Sequence, residues 1–352
     1  MTVTEMSTLS DGHDRCITLA HGSGGLLMHE LIREVFVTSF GAAALGGLED
    51  QARLDLHDFN TRGDRLALTT DSYVVDPLFF PGADIGKLAV CGTVNDLAVG
   101  GAQPLYLSCG MIIEEGLSLA VLQRVVTSMK QAADAAGVAI VTGDTKVVPR
   151  GVADKLFINT TGVGAIPAGI EIAAAHARPG DVLITNGYLG DHGAAIVDAR
   201  GELALEHPIE SDCQALNGLV ADMLAACSGI HCLRDATRGG LATVLNEFAL
   251  ASGVCLRIEE AAVPVRDPVR GLCEILGLDP LYLANEGKLL AVVPAAAAAA
   301  VLAAMQRHPA GRDSRIIGEV VARPAGRVIL ATAFGGERLV DMLVGEQLPR
   351  IC

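Results

Sequence analysis

Four aspartates stand beside glycine or small polar residues: Asp71 in TTDSYVV, Asp96 in GTVNDLA, Asp144 in TGDTKVV and Asp235 in LRDATRGG. Carboxylates at strand ends hold hard cations such as Mg2+ against a triphosphate, with the metal cancelling phosphate charge. One such aspartate alone is more often a turn or helix cap. Four of them, three with a strand nearby, point instead to a metal–nucleotide site. Three glycine loops accompany them: HGSGG (21–25), GYLGDHG (187–193) and TRGG (237–240). A loop that opens a helix offers backbone N–H groups to an anion, although a lone glycine loop is equally a plain turn. Arg238 in the third loop suits a phosphate oxygen as well as it suits a surface ion pair. No G-x-x-x-x-G-K-[ST] run exists, so a P-loop is not the phosphate device.

Two further charges sit in mixed apolar surroundings: Lys146, two residues after Asp144, and Glu286 in LANEGKLL. Either suits a general base or acid, and either also fits a solvated turn. The last residue is Cys352. Chain ends are commonly idle, and most cysteines pack as small hydrophobes. Here, however, a nucleotide site lacks an evident nucleophile of its own. The tail GEQLPRIC, fully extended, reaches roughly 25 Å, far enough to swing from a groove to an outside partner.

The 352 residues carry 26 basic and 41 acidic side chains, a net charge of −15. Such a surface repels a duplex, so no nucleic-acid partner is expected. Nine cysteines, an odd number with no C-x-x-C, argue against zinc and against a disulfide framework. Most lie in apolar runs, as buried thiols of a reducing cytosol do. MTVTEMSTLSDGHDR has no apolar core of a signal peptide, and LLAVVPAAAAAAVLAAM (289–305) reads as a buried strand and a helix divided by Pro294 rather than a membrane span. A cytoplasmic location without membrane attachment is expected.

Periodicity supplies the elements that must position these residues. Strands are expected at 66–75, 104–114, 138–148 and 155–166, and helices at 84–99 and 118–137, the latter amphipathic and closed by Gly137. The second half repeats the style after a seam at Pro167 and RPGD (178–181). The expected class is α+β. The expected divisions are an N-terminal extension (1–20), an N-terminal α+β domain (21–167), which the resemblance described next implies to be the ATP-binding and dimerisation domain, a C-terminal α+β domain (168–343) and a mobile tail (344–352).

HGSGG, DSYVV, CGTVNDLAVGGA, GDTKVV, GDHG, RDATRGGL, ANEG and a terminal PRIC occur in that order. Together they closely resemble the HypE family of hydrogenase maturation factors. That family lies within the superfamily of aminoimidazole ribonucleotide synthetase, selenophosphate synthetase and thiamine-monophosphate kinase. The resemblance spans residues 20 to 352, and PRIC singles out HypE within the superfamily. Ala236 departs from the family's RDPTRGG, which is expected to loosen the turn while leaving Asp235 and Arg238 in place.

The resemblance implies two α/β domains of the aminoimidazole ribonucleotide synthetase type, with strands of the first pairing across a homodimer and nucleotide in the groove between domains. It implies that Cys352 accepts a carbamoyl group from the carbamoyltransferase HypF. ATP then drives dehydration of the thiocarbamate to a thiocyanate, and the cyano group passes to iron held by HypC–HypD, becoming a ligand of the NiFe hydrogenase centre. Asp71, Asp96 and Asp235 would hold Mg2+–ATP, with Asn95, Asp144 and Arg238 near the phosphates and Lys146 and Glu286 as bases. Two alternatives stay open: a selenophosphate-synthetase-like enzyme, disfavoured because no lysine follows Cys16 in its loop, and a nucleotide-gated carrier that presents Cys352 without catalysis.

Overall fold

From Ala67 onward, odd-numbered residues of strand β1 (Arg65–Tyr73) turn inward and even-numbered ones outward. This is the period of two of a half-buried strand. It ends in buried Tyr73 and leaves Leu66 and Leu68 61% and 72% exposed. The computed structural model describes residues 15–41, 44–45, 50–201, 208–345 and 348–352. Ahead of β1 lie α1 (Leu26–Leu31), a wider-wound helical stretch (Ile32–Val37), α2 (Thr38–Phe40) and α3 (Leu56–Asn60). The paired dipeptides β2 (Phe79–Phe80) and β3 (Ala83–Asp84) follow it, then α4 (Ile85–Val99), β4 (Gln103–Glu114), α5 (Leu119–Ala136), β5 (Ala139–Val148) and β6 (Leu156–Ile166). The four long strands form one sheet in the order β1-β6-β4-β5, with only β4 and β5 parallel.

The second half contributes β7 (Val182–Thr185), α6 (Asp191–Ala199), α7 (Asn217–Ala226), β8 (Cys232–Asp235), α8 (Gly240–Ser252), β9 (Cys255–Glu259), α9 (Asp267–Leu276) and β10 (Leu289–Val293). It closes with α10 (Ala295–Arg307), β11 (Arg315–Val321), β12 (Arg327–Ala331) and β13 (Glu337–Leu339). These strands build a seven-stranded sheet, β13-β12-β9-β11-β7-β10-β8. Leu241, Leu245 and Phe248 of α8 pack on one face and residues of α7 and α10 on the other.

Helix α4 ties the halves together. Asp84 caps it by accepting from the backbone N–H groups of Gly86 and Lys87. All but two of its fifteen residues are buried, so it reads as a core helix and not as a surface stripe. Its start packs in the first core, while Ala98 and Val99 enter the cluster formed by Leu216, Leu219 and Val301 of the second.

The α+β reading stands, and the expected strands and helices of the first half form within a residue or two. The setting of the acids differs from expectation. They do not all sit at loop tips: Asp71 and Asp144 lie inside β1 and β5, Asp96 lies inside α4, and only Asp235 ends a strand. Residues 232–235 gain regular pairing only from β10, a partner distant in sequence. Six of the nine cysteines are buried, and among the described residues no helix is long and apolar enough to cross a membrane.

Close approach of α4 to β1 leaves no room at Gly92, where a Cβ would collide with the fixed ring and hydroxyl of Tyr73. Gly92→Ala should destabilise the chain by about 1–3 kcal/mol despite alanine's better helix propensity. Chemical denaturation checks this, and an unchanged midpoint would contradict it.

Candidate active site

Two periodicities meet where β1 crosses α4. Thr69, Asp71 and Tyr73 share the inward face of the strand, and Thr93 and Asp96 share one face of the helix. The Thr69 hydroxyl donates to Asp96 Oδ2 at 2.9 Å. Tyr73 Oη lies 3.4 Å from Thr93 Oγ1, which contacts Thr160 Oγ1 at 2.5 Å. Asp71 thus faces the helix between two anchored residues. From the second half, β8 brings Asp235 and the 284–288 loop brings Glu286, both buried.

These four carboxylates feel one another. Burial pushes Asp235 up to about 7, with the charges of Asp96 and Asp71 adding to it. Burial also raises Asp96, against the bond from Thr69, and the Asp71 charge adds to the rise. Glu286 is raised well above the carboxylate range, chiefly by burial and then by Asp235, Asp212 and Asp71. Its Oε1 is buried without a hydrogen-bond partner among the described residues. Uncompensated negative charge of this kind is completed by a cation. Among the described residues, no three His, Cys, Asp or Glu side chains close on one point to cage a metal unaided. That donor set fits Mg2+, which takes one or two carboxylates and fills its other positions with water and phosphate oxygens.

A cleft of about 720 Å3 opens beside Asp96 and Asp235, lined also by Thr69, Thr237 and Arg238 among others, while Asp71 and Glu286 do not line it; its size suits a nucleotide. Helix α8 points its N-terminus there through Gly239 and Gly240, whose φ values are 76° and 61°. A Cβ at Gly240 would also collide with the Leu281 and Leu283 carbonyls. Backbone donors at that end suit phosphate. Ala236 donates its N–H to the Lys288 carbonyl at 2.8 Å and accepts from Asn285 at 3.1 and 2.8 Å. Proline could not make the first of these bonds, so the departure at 236 leaves this turn tied.

Asn95 lies one residue from Asp96 with a different task. Its side chain donates to the Gln214 and Glu286 carbonyls at 3.0 and 3.4 Å and accepts from Leu216 N–H at 2.7 Å. It joins the halves and steadies the Glu286 loop. Asp212, not singled out from sequence, does likewise: it accepts from Glu286 N–H at 3.0 Å and faces Lys288 Nζ at 3.2 Å. No local motif announced it, because its partners lie about 75 residues away.

Asp144 and Lys146 lie elsewhere. They pair with each other at 3.0 Å, both mostly exposed, on β5 at the edge opposite β1. The register Ser72–Asn159–Gly110–Asp144 puts Asp144 on the outward face, and Lys146 shares its parity. Three strand spacings, about 14 Å, separate β5 from β1. HGSGG docks there too, with Gly22 against Val147. Within one chain these residues form a second polar group, apart from the carboxylates.

Cys352 lies just past the end of the strand that bears Asp71. Its terminal oxygen accepts from Val74 N–H at 3.0 Å, directly beyond the end of β1, and Arg350 O accepts from Asp76 N–H at 3.2 Å. The tail therefore lies antiparallel to residues 74–76. Ile351 is buried, and Leu348 and Cys352 pack against the core that holds Tyr73, Cys91, Cys213 and Ala284. Residues 346 and 347 lie outside the described residues.

The AIR synthase related protein models match this chain at residues 48–166 for the N-terminal domain and 178–331 for the C-terminal domain. A carbamoyl dehydratase HypE of Rhodobacter capsulatus is 61% identical over 339 residues, 96% of this chain and 99% of its own. The chain belongs to the HypE family. A crystal structure of a HypE protein in complex with ATP shares the fold at a TM-score of 0.90 and 51% identity, covering 95% of this chain and 99% of that one. A HypE–HypF complex matches at 0.77 and 44%, covering 91% of this chain and 100% of that one.

The raised Asp235 carries a stability consequence. A carboxyl whose folded value exceeds its unfolded value near 4 takes up a proton on folding, so its ionisation opposes folding above about 7 and ceases to do so as pH falls toward 4. The opposition amounts to at most about 4 kcal/mol at 1.36 kcal/mol per tenfold. In chelator, Asp235→Asn should raise the melting temperature at pH 8 by several degrees, with the gain shrinking toward pH 5. An unchanged or lower value at pH 8 contradicts the reading.

Proposed function

We propose that this chain is the ATP-dependent enzyme that dehydrates a carbamoyl group carried on Cys352 as a thiocarbamate, leaving a thiocyanate. The observation that carries the reading is the seat of the terminal cysteine. It docks at the end of the strand that bears Asp71, in the core that also holds Cys91 and Cys213 beside Glu286.

The chemistry follows from the residues. R–S–C(=O)–NH2 loses water only if its oxygen becomes a leaving group. ATP supplies this: the γ-phosphoryl moves to the carbamoyl oxygen, the two N–H protons go to base, and phosphate departs as C≡N forms. Bound Mg2+ would draw on one or two carboxylates from among Asp71, Asp96 and Asp235 and would neutralise triphosphate charge. The Arg238 guanidinium and the N–H groups opening α8 would orient the phosphates. Glu286 Oε1 has no hydrogen-bond partner among the described residues, so it can accept an N–H of the carbamoyl group, and a cation bound nearby would favour the ionised form that a base needs.

Lys146, Asp144 and HGSGG fit this scheme through a homodimer. Leu66, Leu68 and Ile112 are exposed apolar residues of the first sheet, and Lys146 lies on its outward face. A second copy packed there would cover them and could bring its own Lys146 toward a carboxylate cluster. HypF as carbamoyl donor accords with the HypE–HypF complex of a relative. HypC–HypD as cyano acceptor, and a reducing cytoplasm for the thiol, complete the reading.

Intact-mass measurement tests it. The carbamoylated chain mixed with Mg–ATP should lose the mass of one water and release one phosphate. Cys352→Ala should abolish both while still binding ATP. Glu286→Gln should slow dehydration by a factor of roughly 10^2–10^4. A carbamoylated chain that binds ATP and keeps its mass is a carrier, and the enzyme reading then fails.

A further inference from the structure

We propose that His192 and Arg200, both on or next to helix α6, are positioning residues that hold the terminal cysteine in its inward seat by gripping the tail's backbone carbonyls. The inference rests on the reading of Cys352 as the carrier. Its own evidence is the hydrogen bonding of the last four residues.

Each of those residues offers a carbonyl or terminal oxygen, and each meets a donor. Arg200 Nη2 donates to Pro349 O at 2.5 Å and to Arg350 O at 3.0 Å, while its Nε donates to Asp76 O at 3.1 Å. His192 Nε2 lies 2.6 Å from Ile351 O. Val74 N–H takes the Cys352 oxygen. Only main-chain atoms of the tail enter these contacts, so they fix position and not side-chain identity. The Arg350 side chain adds to the grip: it donates from Nε to Val74 O at 3.0 Å and pairs through Nη1 with Asp154.

His192 is built for one task. A carbonyl only accepts, so Nε2 carries the proton and Nδ1 accepts from the Ser211 hydroxyl at 2.9 Å. Ser211 Oγ in turn accepts from Cys213 N–H at 3.1 Å. The Phe80 ring edge packs against the imidazole at a centroid distance of 5.5 Å, and the side chain is wholly buried. Helix α6 is also tied to the catalytic loop: Gly190 N–H donates to Asn285 Oδ1 at 2.8 Å and Gly193 N–H to Ala284 O at 3.0 Å. The element that grips Ile351 is thus bonded to the loop that carries Glu286.

The docked tail has little margin. Arg350 has φ of 54°, a left-handed backbone for a non-glycine residue, and its Nη2 is buried without a hydrogen bond among the described residues. Strain of that kind weakens the docked state. The clamp bonds offset it, so loss of one should free the tail for part of the time.

The readout is the rate at which iodoacetamide alkylates Cys352, followed by peptide mass mapping, alongside two activities of the full chain: acceptance of carbamoyl from the carbamoyltransferase, and single-turnover dehydration with Mg–ATP. His192→Ala and Arg200→Ala should each speed alkylation of Cys352 about tenfold, or about 1.4 kcal/mol. Each should slow dehydration by a similar factor and leave ATP binding and carbamoyl acceptance unchanged. His192→Gln, whose amide N–H can reach the same carbonyl, should recover most of both effects. Arg200 is only half-buried, so Arg200→Ala keeps the test available if His192→Ala misfolds. Unchanged alkylation in Arg200→Ala, or a His192→Gln variant as impaired as His192→Ala, overturns the proposal. If alkylation speeds as expected while the carbamoylated wild-type chain never loses water, the clamp stands and the dehydratase reading falls.

Discussion

The arrangement turns on negative charge that the protein gathers and does not cancel. Asp71 and Asp96 come from the first half, and Asp235 and Glu286 from the second. Asp235 and Glu286 are pushed up by burial and then by neighbouring carboxylates. The basic group that acts on Asp96 and Asp235, Arg234, is itself paired with Glu247. A site in this condition is poorly satisfied alone and well satisfied by a cation carrying phosphate. The carboxylates that would attract Mg–ATP also add to the rise that burial produces in the proton affinity of Glu286.

Holding such a cluster requires bonds that cross the seam. Asn95 on α4 grips the backbone at 214, 216 and 286, and Asp212 grips Glu286 N–H while facing Lys288. Ala98 and Val99 of the same helix enter the second core. Helix α4 is therefore both a wall of the cleft beside Asp96 and the bolt between halves, which explains why all but two of its residues are buried. The tail joins this frame last. It extends the line of β1 by antiparallel bonding, so the strand that presents Asp71 also seats Cys352.

Much of this was legible in the sequence. Period-two and period-3.6 patterns located β1, β4, β5, β6, α4 and α5, and Asp71, Asp96, Asp235 and Glu286 were singled out before any fold was known. The rest depended on long-range pairing. Asn95 reads as a neighbour of Asp96, yet its bonds lie some 120 and 190 residues away. Asp144 and Lys146 share a motif with glycine and threonine much as Asp71 does, but strand order sends them to the opposite edge and face of the sheet. His192 was visible inside GDHG as one residue of a glycine loop. Only the fold shows it buried at the start of a helix and aimed at Ile351.

The measurement that bears most directly on the central claim is calorimetric titration of ATP into the full chain near pH 7, with Mg2+ and with chelator, in two buffers of different protonation enthalpy. An uncompensated carboxylate cluster completed by Mg–ATP predicts binding at least tenfold tighter with Mg2+, about 1.4 kcal/mol or more, and a net release of protons as Asp235 ionises against the cation. Equal affinity in the two conditions, with no proton release in either buffer, would contradict it.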